Sequence, residues 1–147
     1  MTYKTVETKS RFQIKSCEKL STEADQAQFL VPVVQDASYV YTSDGTNILR
    51  MPKSGGDGGA PQALASAQAG DFVVAMAVDE TRVFWTEQTT NQINLQGYVY
   101  AAPATGGNST LLASYGIGTV SGMFDIVVDT THIYWTSGQA TFTLTMQ

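Results

Sequence analysis

The stretch VVDTTHIYWTS, residues 127–137, closely repeats one that stands fifty residues earlier, AVDETRVFWTE at residues 77–87. A third, weaker copy, VQDASYVYTSD, occupies residues 34–44. Three copies in a chain of 147 residues make internal repetition the first fact to explain. Aligned on their shared aspartate, the copies place Asp36, Asp79 and Asp129 in one column, 43 and 50 residues apart.

An apolar run precedes each aspartate: FLVPVVQD at 29–36, FVVAMAVD at 72–79 and MFDIVVD at 123–129. A second run follows it: YVYTS at 39–43, RVFWTE at 82–87 and HIYWTS at 132–137. Both are rich in the β-branched and aromatic residues that fit a pleated surface, so the aspartate falls in the turn between two strands. A third strand reads as NILRMPKSGG at 47–56 and GYVYAAPATGG at 97–107, each stopped by a proline and a glycine pair. A fourth reads as PQALASA at 61–67 and STLLASY at 109–115, and more faintly as CEKLSTE at 17–23, with Leu20, Leu64 and Leu112 in one column. The one helix-like window, STEADQAQF at 21–29, is short and falls in an inter-strand loop of the repeat. Four short strands in roughly 40–50 residues is the period of a β-propeller blade.

The pattern V-D-x-x-x-[VI]-[FY]-W-T, followed by P-x-x-G-G and x-L-A-S, resembles bacterial β-propeller repeats related to the YWTD and TolB-like six-bladed propellers. The resemblance covers most of residues 29–137 and implies a fold, not an activity. This sequence departs from the pattern at Thr42, which replaces the tryptophan, and at Glu87 and Ser137, which replace the aspartate after Y-W-T.

The expected fold is all-β, with four-stranded antiparallel blades and about three blades in one domain, residues 1–147. Residues 29–67 and 72–115 each supply a whole blade, and residues 123–147 supply a partial one. Residues 1–28 bring one or more strands that complete a blade, 16–22 being suited to an outer strand and 3–9 having no fixed place. Three blades do not close a ring, since known rings need about four or more. The expected assembly is therefore a homodimer with a six-bladed ring, in which each N-terminal strand completes its partner's last blade. The competing expectation is a fragment whose other blades come from elsewhere.

Composition narrows the function. Eight Lys and Arg against 13 Asp and Glu give a net charge of −5 without a basic cluster, which argues against a nucleic-acid partner. No apolar run is long enough for a membrane span, and the first twenty residues lack the apolar core of a signal peptide. The family resemblance leaves a secreted or periplasmic location open. Cys17 is the single cysteine, so no disulfide forms within one chain, and a small part-buried side chain is its simplest role.

The aspartates Asp36, Asp79 and Asp129 have the chemistry of calcium ligands, but their turn position favours a structural role, accepting backbone N–H groups. Trp85, Trp135 and Tyr41 have rings that stack on sugars, but their recurrence favours wedging between blades. The second blade carries an eight-residue insertion within EQTTNQINLQG, residues 87–97, whose Gln88, Asn91, Gln92, Asn94 and Gln96 offer amides to a hydroxylated or peptide ligand. A neutral hairpin extension accounts for it equally well. Asp125 stands where the other copies have Pro32 and Ala75, which makes it a candidate residue of the central channel. His132 is the only histidine, and no hydrolase or phosphate-loop motif is present; KSGGDGG at 53–59 reads as a flexible turn. The expectation is a non-catalytic binding or scaffold module for a carbohydrate or a protein, with no cofactor and no metal. The alternative is a metal-dependent propeller hydrolase or lyase with its site at the central channel.

Overall fold

The computed structural model describes residues 31–54, 60–90, 95–116, 122–138 and 140–146. The expected strands at 3–9 and 17–23, the window at 21–29 and Cys17 lie outside them. Eleven strands are found among the described residues, and they form three separate antiparallel sheets. The first is β1 (Val33–Gln35), β2 (Tyr39–Ser43), β3 (Asn47–Pro52) and β4 (Gln62–Ser66), in that order. The second is β5 (Asp71–Val78), β6 (Arg82–Thr89), β7 (Gln96–Pro103) and β8 (Thr110–Gly116). The third is β9 (Met123–Val128), β10 (His132–Ser137) and β11 (Ala140–Thr145), ordered β9, β10, β11. These are blade-like sheets, and the all-β, propeller-like architecture follows from them.

Equivalent registers show that the sheets are copies of one unit. Trp85 pairs with Tyr100 and Trp135 with Phe142. Each indole stacks on its partner ring, at 5.7 Å and 18° in the second sheet and 5.5 Å and 12° in the third. The strands also skip a residue at equivalent places: between Val73 and Ala75 in β5, and between Met123 and Asp125 in β9. The outer strands skip Leu64 and Leu112, the residues of the leucine column. A bulge turns the extra side chain out of the alternation, and Leu64 is buried against the neighbouring sheet while Leu112 packs against the other.

The sheets stack face to face, with their first strands β1, β5 and β9 next to one another. One core lies between the first and second sheets, built from Tyr41, Ile48 and Leu64 on one side and Val73, Val83, Trp85 and Tyr100 on the other. A second lies between the second and third, with Ala75, Phe84, Val99 and Ala101 facing Met123, Ile126, Ile133 and Trp135. Alternation along a strand gives each middle-blade strand one residue for each core: Val83 and Trp85 look back, Phe84 looks forward. The turn Asp44-Gly45 between β2 and β3 needs glycine, with φ at 99°, and the Gly45 carbonyl accepts the Val73 N–H across the sheets at 3.0 Å.

Two substitutions separate the wedge from the turn. Trp85→Ala should cost about 3–5 kcal/mol, as expected for a buried large aromatic. Tyr41→Phe, which copies the middle blade's Phe84 and loses one hydrogen bond to Asp36, should cost about 1 kcal/mol. Urea unfolding of both variants checks this, and equal losses would refute the assignment of Trp85 as the wedge.

Candidate functional site

The three repeated aspartates close their turns identically. Asp36 Oδ1 accepts the N–H groups of Ser38 and Tyr39, Asp79 Oδ1 those of Thr81 and Arg82, and Asp129 Oδ1 those of Thr131 and His132, all at 2.7 Å. The second oxygen is also used. Tyr41 donates its hydroxyl to Asp36 at 2.6 Å and Tyr134 to Asp129 at 3.1 Å. Phe84 has no hydroxyl to give, and there Arg82 replaces it, holding Asp79 Oδ2 at 3.1 Å and lying over the Phe84 ring.

Backbone N–H donors at Thr131 and His132 hold the Asp129 carboxyl down to about 2. At Asp79 burial opposes ionisation but is outweighed by the Thr81 and Arg82 N–H groups, so that carboxyl also lies below 3.8. Asp36 follows the same balance: burial raises it, and the bonds from Tyr41, Tyr39 and Ser38 bring it below 3.8. With both oxygens engaged, these carboxylates have the environment of turn residues.

Glu87 has the opposite environment. It follows the Trp-Thr pair of β6 and is fully buried, with Trp85 Nε1 donating to Oε1 at 2.6 Å and the Gln68 N–H donating to Oε2 at 3.1 Å. Positions 85 and 87 share one face of β6, which brings the indole to the carboxylate. Burial pushes the Glu87 carboxyl above 4.5 despite those donors, and the nearby Asp71 adds to the effect. Burial raises Asp71 as well. The arrangement clamps the segment that leads from β4 to β5, because the Asp71 N–H donates to the Gln68 carbonyl at 3.0 Å. Sequence reading recorded Glu87 as a departure from the repeat pattern that the chain resembles and missed its burial. The i, i+2 spacing from Trp85 was the available signal.

The insertion is shorter as a loop than its sequence suggests. Residues Gln88 and Gln96 lie on β6 and β7, where Gln88 pairs with Gly97 and Gln96 with Gly116. Asn91, Gln92 and Asn94 lie outside the described residues. Gln88 Oε1 accepts the Met123 N–H at 3.0 Å, tying the second sheet to β9, and a Cβ on Gly122 would sit 2.9 Å from that oxygen.

Two concavities lie among the described residues. Asp125 is exposed on β9 and borders a cleft of about 110 Å³ with Val127, Tyr134, Thr136 and Thr141. A wider groove of about 480 Å³ is lined by Tyr39, Arg50, Pro52, Ala60, Pro61 and Gln62. In it Arg50 is fixed: Nε and Nη2 donate to Gln62 Oε1 at 3.0 and 2.8 Å, Nη1 donates to the Ala104 carbonyl at 2.5 Å, and the guanidinium lies over the Tyr39 ring at 4.7 Å. Sequence reading did not single out this group, since its members come from three strands and two blades. His132 begins β10, with Nδ1 against the Thr131 hydroxyl at 2.7 Å. Among the described residues, no three His, Cys, Asp or Glu side chains are grouped to hold a metal ion.

No family model matches this chain, and no curated protein matches it. Among solved structures it is similar to a chain in a crystal structure of a nidogen/laminin complex, at 13% identity and a TM-score of 0.33 over 78% of this chain and 75% of that one. At that score the likeness carries no argument about function.

The two kinds of carboxylate give opposite pH dependences. Glu87 is raised in the folded chain, so between 4.5 and its folded value the folded chain holds a proton that the unfolded chain has released. Its stabilising contribution is complete below 4.5 and is lost as pH rises through the folded value; Asp71 acts in the same sense from 3.8 upward. The turn aspartates contribute above 3.8 and lose that contribution as pH falls through their lowered values. Thermal unfolding from pH 3 to 8 should therefore show stability falling above about pH 4.5, and Glu87→Gln should flatten that limb while leaving the acid limb unchanged. An unchanged limb above that pH in Glu87→Gln would remove Glu87 as its source.

Proposed function

We propose that this chain is a non-catalytic binding or scaffold module, a β-propeller unit of the YWTD or TolB-like type, whose ligand is a carbohydrate or a protein. The supporting observation is the Arg50 platform. A planar cation, held at Nε, Nη1 and Nη2 by protein acceptors and backed by the Tyr39 ring, stands in an open groove with donors to spare. Side chains fixed before a ligand arrives lose little freedom on binding it. Chemically the groove suits an oxygen-rich ligand: peptide carbonyls or a carboxylate against the guanidinium, sugar hydroxyls against Gln62, and apolar faces against Pro52 and Pro61.

The turn carboxylates are engaged by backbone donors, and Glu87 is sealed beneath Trp85. The alternative reading, a metal-dependent hydrolase or lyase at Asp125, gains no specific support, because the neighbours of Asp125 in its cleft are hydroxyls and apolar groups.

The test is a screen of the full chain against an immobilised glycan array and a displayed peptide library, followed by affinity measurements on the hits. The exposed Gln62→Ala and the part-buried Tyr39→Ala should each weaken binding by about tenfold or more, the scale of one lost hydrogen bond or aromatic contact at a ligand. Chelator should leave affinity and melting temperature unchanged. Hits indifferent to both substitutions would move the site elsewhere, and a melting temperature lowered by chelator would favour the metal-dependent alternative.

A further inference from the structure

Arg50 forms no ion pair with a described residue. Arg82 pairs with Asp79, and His132 stands 4.0 Å from Asp129. The hydrogen bonds of Arg50 go instead to the Gln62 amide oxygen and the Ala104 carbonyl, and its plane lies over the Tyr39 ring. All of these partners are neutral. In a chain with eight Lys and Arg against 13 Asp and Glu, a part-buried arginine held in this way keeps its charge unmatched. Neutral acceptors orient a guanidinium, but a carboxylate is what its charge and planar fork fit best.

The donors left over define what a ligand meets. A guanidinium carries one N–H on Nε and a pair on each terminal nitrogen. The Nε donor and one from each of Nη1 and Nη2 are used inside the protein, so one N–H remains on each terminal nitrogen. Those are the nitrogens that a carboxylate bridges with its two oxygens. We propose that the groove takes an aspartate or glutamate side chain of an extended segment of a protein partner, its carboxylate bridging Nη1 and Nη2 of Arg50. This inference rests on the reading of the groove as the binding site and names its ligand. Arg50 receives the carboxylate without leaving Gln62, Ala104 or Tyr39, so the cation is already in place before the partner arrives.

The shape of the site favours a peptide over a sugar. At about 480 Å³ the groove is wider than one carboxylate, and Pro52, Ala60 and Pro61 give it apolar walls for the residues beside the acid. Gln62 lines the groove and also begins β4, which pairs with β3 alone among the described residues. Gln62 and Ala63 are exposed at the start of that edge. An extended segment adds to a sheet edge through main-chain hydrogen bonds and sends alternate side chains into neighbouring pockets. Tyr39 is the one aromatic side chain that lines the groove, and the guanidinium already occupies a face of its ring. The groove therefore offers charge rather than an aromatic stacking surface.

Peptides selected on the full chain from a displayed random library provide the test. Hits weakened by Gln62→Ala or Tyr39→Ala should share an Asp or Glu at one position. Replacing that residue by Asn or Gln leaves the protein untouched and should weaken binding about tenfold or more, the scale of a lost charge-assisted hydrogen bond. Arg50→Lys keeps the charge but loses the fork, and it should weaken the acidic peptide to a similar degree at an unchanged melting temperature. Made together, the two changes should cost little more than the larger one alone, because they remove one contact. If Arg50→Lys does not fold, the comparison of acid and amide peptides decides. Groove-dependent hits without a shared acid, an amide peptide that binds as tightly as the acid, losses that simply add, or groove-dependent hits confined to glycans would each overturn the proposal and leave the binding-module reading standing. If no peptide or glycan hit responds to Gln62→Ala or Tyr39→Ala, the groove is not the site, and that reading of it falls together with the proposal.

Discussion

The structure depends on one constraint: a sheet that is apolar on both faces has no stable existence alone. The middle blade shows this most clearly. Trp85 and Val83 leave β6 toward the first sheet, Phe84 leaves it toward the third, and all three are completely buried. The indole is large enough to meet Tyr100 in its own sheet and to reach the core shared with Tyr41. Everything else positions that contact. The aspartate turns set where the second strand of each blade begins, and bulges in β5 and β9 adjust which side chains reach the core.

Polar groups reinforce the stack at the passages between blades. Glu87 holds the segment leading into β5, Gln88 holds the start of β9, and the Gly45 carbonyl holds Val73. The three differ in cost. A backbone carbonyl and a neutral amide enter the interior cheaply when paired, whereas a carboxylate must either give up hydration or take a proton. Glu87 raises its proton affinity instead of recruiting a cation. Its indole and amide donors are enough to orient the group without fully stabilising its charge. The middle blade thus contains an acid whose protonation is coupled to the joint between two blades.

The blade repeat was legible in the sequence because it rests on features that recur at fixed columns: Asp36, Asp79 and Asp129 in the turns, the aromatic second strands, and the prolines and glycines that end the third. The leucine column was visible too, but its cause was not. Leu64 and Leu112 sit at bulges, and a bulge is defined by the pairing of two strands, which no single strand reveals. The length of the insertion was overestimated as a loop for a related reason. Polar Gln88 and Gln96 extend β6 and β7 because their backbones find partners, although their side chains suit a loop. The Arg50 platform was hidden because Tyr39, Arg50 and Gln62 come from three strands, and the Ala104 carbonyl comes from another blade. Nothing local in the sequence links them.

Repetition also gives meaning to its exceptions. Where all blades need the same thing, the residue is the same, as with the turn aspartates. Where one blade lacks a group, a neighbouring residue supplies it: Tyr41 and Tyr134 hold their aspartates by a hydroxyl, but Phe84 has none and leaves that task to Arg82. The change keeps both oxygens of the carboxylate satisfied, since an unpaired polar atom away from water is expensive. Asp125 follows the same logic from the other side. Its counterpart Ala75 faces a packed neighbour and is buried, whereas Asp125 is exposed on the outward face of the third sheet. A carboxylate is tolerated there because water can reach it, so the chemistry at that column is set by position in the stack before any ligand acts on it.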